Sequence, residues 1–169
     1  LGSVAQRQHS DVDCWVCLRP GPACPEDGFE AARAGLARKL SALEAWLWEQ
    51  FALEAHFFPM TMQAVRQNDF GISDKESSGS AQAALLKEEF YRTALKLAGR
   101  DLLWWAAPPE ATQDEARALL DELALLAPRT AAELVDLGQP RPIPPQAYFG
   151  ACLWQIVKSL HSPYKSVMK

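Results

Sequence analysis

The stretch from Phe29 to Phe58, FEAARAGLARKLSALEAWLWEQFALEAHFF, constrains this chain's fold more than any other. An α-helix turns about 100° per residue, so side chains three and four apart share a face. Phe29, Ala32, Leu36, Leu40, Leu43, Leu47, Phe51 and Phe58 recur at those steps, and Trp46, Leu53 and Phe57 widen the stripe. This period predicts one long amphipathic helix with its apolar side on a core. Pro25, Glu26 and Asp27 suit its start, where a proline is tolerated and acids favour the helix dipole. Pro59 supplies the expected stop, because the residue before a proline is pushed away from helical geometry. Two residues fit badly. Glu54 falls within the apolar face, which predicts a buried charge that is paired or meets a ligand. Trp48 falls off that face, in a second packing layer or on a partner surface.

The rest of the chain reads as helical too. Residues Val4 to Asp13 form a polar, aperiodic tail, followed by a proline- and glycine-bearing cysteine loop up to Pro25. Thr61 is a candidate N-cap for a short helix that Gly71 ends. Ile72 to Ser80 is a polar loop. A third helix is expected from Ala81 to Trp105, with Ala84, Tyr91, Leu95 and Leu102 on its inner face. Thr112-x-x-Glu115 and Thr130-x-x-Glu133 are both capping-box patterns. The first opens a helix running to Ala127. The second opens a short helix, with Leu134 and Val135 inward, that Gly138 ends. Gln139 to Gln146 is a stiff proline-rich connector. A last helix from Ala147 to Leu160 turns Phe149, Cys152, Leu153, Ile156, Val157 and Leu160 inward and Trp154 outward. No stretch shows the period-two alternation of a strand with β-branched residues. The expected fold is therefore all-α: an irregular bundle of about five or six helices around the long N-terminal one, preceded by the cysteine loop. Residues 1–25 form the tail and loop, 26–163 a single helical domain, and 164–169 a tail. Leu1-Gly2-Ser3 reads as the remnant of a cleaved fusion tag.

The sharpest chemical signal is Cys14-x-x-Cys17, with Cys24 seven positions further on. Thiolates at this spacing can hold one side of a tetrahedral zinc ion. A fourth ligand would be His9, or His56 or His161 if the chain folds back. Free thiols and a disulfide are the competing readings. Cys152 lies on an apolar face and reads as a buried thiol. Glu-x-x-His pairs, a phosphate-cradling glycine loop and a nucleophile elbow are all missing from the sequence.

A net charge of −4, without a dense basic cluster, argues against nucleic acid as a partner. No uninterrupted apolar run is long enough to span a membrane, and the most apolar window is acidic, which argues against a membrane surface as well. Three of the four cysteines lie within eleven residues, and the reading leans to a reducing, intracellular setting in cytoplasm or nucleus. Six tryptophans are many for a helical domain of this size. Trp48, Trp154, Leu125, Trp104 and Trp105 are the candidate partner-binding residues, since aromatic side chains dominate interface hot spots. These observations lead to the expectation of a non-catalytic interaction or scaffold domain, cut from a larger protein, that docks a protein partner or self-associates. A zinc-stabilised module binding nucleic acid or a partner through the cysteine loop is the alternative. A helical enzyme with a polar pocket at Glu54 or a histidine is the third reading.

Overall fold

The computed structural model describes residues 10–22, 24–71, 82–108, 110–140 and 143–160. Its organising unit is a strand, a helix and a second strand parallel to the first. Strand β1 (Val12–Leu18) leads into helix α1 (Glu26–Phe51), and the chain returns as strand β2 (Ala55–Thr61). Val12 pairs with Ala55, and the register runs on to Leu18 opposite Thr61. The all-α expectation is therefore wrong. The segment read as an irregular cysteine loop is mostly a strand, because Cys14-Trp15-Val16-Cys17-Leu18 is a short apolar run that completes its hydrogen bonds on β2. Periodicity alone does not separate such a run from helix or loop.

The long helix also ends earlier than its apolar period implies. Ala52 takes a left-handed conformation (φ 49°) and closes α1. The Ala52 N–H closes the last helical bond on the Trp48 carbonyl at 2.9 Å, and the Leu53 N–H reaches back to the Leu47 carbonyl at 3.4 Å, a left-handed stop usually built on glycine. Pro59, expected to stop a helix, sits inside β2 instead. It is tolerated for a local reason. The Phe57 N–H donates to the Glu44 carboxylate at 2.6 Å and not to β1. Pro59, two residues on, shares that outer side, where a missing N–H breaks no rung with β1.

Helix α2 (Met62–Gln67) starts at Thr61, whose hydroxyl accepts from the Ala64 N–H at 3.0 Å. The predicted third helix is divided. Helix α3 (Gln82–Thr93) stops early, Gly99 turns at φ 88°, and the chain resumes as strand β3 (Asp101–Leu102) and the short helix α4 (Leu103–Ala106). Helix α5 (Gln113–Leu126) begins at the predicted Thr112 capping box. The Thr130 box does not form. Helix α6 (Pro128–Ala132) starts earlier, on a proline, and Leu134–Val135 becomes strand β4, parallel to β3. Helix α7 (Pro145–Ser159) closes the described chain.

One core cluster joins the two halves: Val65 of α2, Phe90 of α3, Leu102 of β3 and Leu137, with Trp15, Cys17 and Met60 packed on it. Leu103, Ala107, Ala111 and Ala116 form a second. The predicted inner face of α7 is not inside. Phe149, Ile156, Val157 and Leu160 are more than half exposed.

Candidate functional site

Successive strand residues point to opposite sides of a sheet. On β1 and the residue before it, Asp11, Asp13, Trp15 and Cys17 share one side. The register sets Asp13 opposite His56, so Glu54, His56, Phe58 and Met60 fall on that same side. The Val12 N–H donates to the Glu54 carbonyl at 2.9 Å, fixing Glu54 beside the entry to β1. The C-terminal half of this face is apolar: Trp15, Cys17 and Met60 pack on the core, while Phe58 is 43% exposed. Trp15 stacks on Phe90 with ring centroids 4.6 Å apart and planes 7° from parallel, and meets Phe70 at 5.0 Å. The N-terminal half is acidic: Asp11 and Asp13, both half-buried, with Glu54 and His56 across the sheet. His56 Nε2 lies 3.3 Å from Glu54 Oε1. Parallel pairing thus sets Asp11 and Asp13 on one strand entry and Glu54 and His56 on the other, along the same end of one face, with the Glu54–His56 pair in side-chain contact.

Asp11 and Asp13 were read from sequence as part of a polar tail. The signal that could have found them is the alternation Asp11-Val12-Asp13 running into an apolar segment that Pro20-Gly21 ends. Glu54 is not the buried charge expected of a helix face. It lies beyond the end of α1, its side chain 61% exposed.

The fold separates the two paired cysteines of the zinc reading. Cys14 and Cys17 are three apart on a strand, which sends them to opposite sides of the sheet. Cys24 sits in the turn that bridges back to Gly21. Among the described residues, no three His, Cys, Asp or Glu side chains converge as a metal group. Burial raises the Cys14 thiol and pushes Cys17 up to about 11. His9 and His161 lie outside the described residues, and His56 is engaged at the acidic face.

The candidate partner residues are scattered. Trp48 is 60% exposed, Leu125 85%, Trp105 42% and Trp154 37%. Trp105 Nε1 donates to the Tyr91 carbonyl. Trp104 is half-buried and donates to Asp136 Oδ1 at 3.0 Å. A cleft of about 830 Å³ opens at the other end of the strands, where Arg19, Arg66 and Arg100 mix with Glu26, Asp121 and Asp136. Leu18, at its rim, lies about 17 Å along the strand from Asp13 and about 23 Å from Asp11.

Comparison with known proteins places this geometry. Residues 1–105, which include Leu1-Gly2-Ser3, match the family described as the adenylate cyclase NT domain. Residues 143–169 match a different family, described as adenylate cyclase, class-I, second domain. The adenylate cyclase of Salmonella typhimurium is 40% identical over 169 residues, covering 99% of this chain and 19% of the relative. That of Escherichia coli K12 is 39% identical with the same coverage. That of Haemophilus influenzae is 36% identical over 173 residues, 100% of this chain and 19% of the relative. The chain thus spans about a fifth of the length of the curated relatives it matches. No solved structure matches it. These matches overturn the expectation of a non-catalytic scaffold domain, because the relatives are named as enzymes. They are also bacterial and give no support to a nuclear setting. Among the described residues no helix is long and apolar enough to cross a membrane.

Proposed function

This chain belongs to the adenylate cyclase NT domain family, and from that premise we propose that it supplies the acidic part of the catalytic centre of an enzyme that cyclises ATP. In that reaction the ribose 3′-oxygen bonds to the α-phosphorus. The bond to the departing pyrophosphate breaks, and the hydroxyl proton is released. Little covalent chemistry falls to the protein; its task is positioning and charge stabilisation.

The observation that carries the reading is the match over residues 1–105, which contains the strand with Asp11 and Asp13. The donor set suits a hard cation. Mg²⁺ in nucleotide enzymes is held by one or two carboxylates together with the substrate's phosphates, not by an all-protein cage. Asp11 and Asp13 would hold such an ion. When bound, it would neutralise charge on the α-phosphate and the leaving group. Glu54 completes the acidic face, with His56 beside it. The Trp15, Phe90 and Phe70 rings keep water from the sheet below the aspartates, which strengthens charge interactions there. On the same reading the protein is intracellular, where ATP is made, and Trp48, Leu125 and Trp105 are contacts toward the remaining four-fifths of the enzyme.

Asp11→Asn and Asp13→Asn in the full-length protein test this. Each is expected to lower cyclic AMP formation from Mg-ATP by about 100-fold or more, with the circular dichroism unchanged. Asp27→Asn, at the exposed start of α1, keeps full activity, and EDTA abolishes it. Wild-type rates in both strand variants would remove the acidic face from the mechanism.

A further inference from the structure

We propose that the exposed apolar face of α7 is the seam on which the rest of a second domain packs, within the same polypeptide. Phe149, Leu153, Ile156 and Leu160 follow one another at steps of four, three and four, which lays them along one side of the helix. They are 66%, 49%, 63% and 79% exposed, and Tyr148 and Val157 widen the strip. From Pro145 to Val157 the helix has no charged residue. A helix that faced water on this side would be expected to carry charge there. Among the described residues of α7, Ala151, 3% exposed, is the one buried hydrophobic. The larger side chains are left for something else.

What covers them follows from the comparisons. Residues 143–169 match a second domain, distinct from the family matched by residues 1–105. Twenty-seven residues are too few for a domain, which needs about 50 or more. The curated relatives are about five times as long as this chain. The uncharged strip fits an apolar core better than a transient partner, whose contacts are more polar. The occupant is therefore the apolar face of helices that follow α7 in the longer protein, and α7 is the first element of their core. This inference rests on the family assignment but not on the proposed chemistry.

Amide hydrogen exchange tests it, comparing the full-length protein with residues 1–169 alone. In the longer protein, amides of residues 147–160 are expected to exchange about 100-fold more slowly than in the short chain, with β1 and β2 unchanged. The short chain is also expected to bind a dye for exposed apolar surface. Phe149→Ser and Ile156→Ser in the longer protein should release the protection of α7 while β1 and β2 keep theirs. Equal exchange in both lengths overturns the proposal, since the face then stays open. Concentration-dependent protection in the short chain overturns it in favour of a second copy. Protection gained only on lipid vesicles overturns it in favour of a membrane surface. None of these outcomes depends on cyclase activity, so the result stands apart from that of the aspartate variants.

Discussion

Ala52 and Gly138 show how one backbone angle decides where an element ends. Both have positive φ, 49° and 84°. L-residues reach this region only against a clash of Cβ with the backbone, at a cost of about 1 kcal/mol or more. Ala52 bears that cost because α1 must stop there for β2 to begin beside β1. Ala52→Gly is expected to stabilise the protein by about 0.5–1 kcal/mol, measured by urea unfolding, since relief of strain outweighs the added freedom of the unfolded chain. Gly138→Ala is expected to do the reverse. A Cβ there would lie 3.0 Å from Arg66 Cα, the Arg66 carbonyl oxygen and Lys87 Nζ. Lys87 is 1% exposed and donates to the Val65 and Arg66 carbonyls at the end of α2, so it has little room to move. We expect a loss of about 2 kcal/mol or more. If both substitutions left stability within 0.3 kcal/mol, neither angle would matter to it.

Elements defined by local chemistry were readable; those defined by distant pairing were not. The Thr112 box forms in full: the Glu115 N–H reaches the Thr112 hydroxyl at 3.3 Å, and the Glu115 carboxylate takes the Thr112 N–H at 2.7 Å. The Thr112 N–H, and the Thr112 hydroxyl donating at 2.9 Å, hold the Glu115 carboxyl below its ordinary value. Its contribution is therefore present above its unfolded pKa and disappears as acid titrates it. Thr112→Ala is expected to cost about 1 kcal/mol. Thr130→Ala should be nearly neutral, because α6 begins on Pro128 and uses no such cap. Equal costs would show that the pattern, and not the hydrogen bonds, was being scored. The same contrast explains the misread helix. Leu53, Phe57 and Phe58 continue the helical period of α1, yet Ala55 and Phe57 are also two apart on a strand, and only β1 selects the second geometry. The aspartates were missed for this reason: Asp11-Val12-Asp13 reads as the entry to a strand only once β2 lies beside it.

At the scale of the molecule, helices α2, α3, α4 and α5 are joined by one polar hub. The Asp136 carboxylate accepts from Trp104 Nε1 of α4, Gln113 Nε2 of α5 and the Gly138 N–H. Its carbonyl accepts from Arg66 Nε of α2 at 2.7 Å. Tyr91 of α3 donates to the Gly138 carbonyl beside it. Asp136→Ala strands three half-buried donors and is expected to cost about 2–3 kcal/mol in urea unfolding, with Asp136→Asn recovering part of it. A change under 0.5 kcal/mol would mean that water replaces the carboxylate without loss. The parallel pairing of the first two strands has a further consequence, and it concerns time. Val12 finds its partner in Ala55, 43 positions later, and every rung of that sheet waits as long. A ribosome adding about 5–20 residues per second leaves β1 unpaired for several seconds. During that interval Trp15, Val16 and Leu18 lack the partner strand they have in the fold. The strand that bears the aspartates is thus the one most exposed to mispairing during synthesis, and production of this protein should respond sharply to chaperones that hold apolar nascent segments.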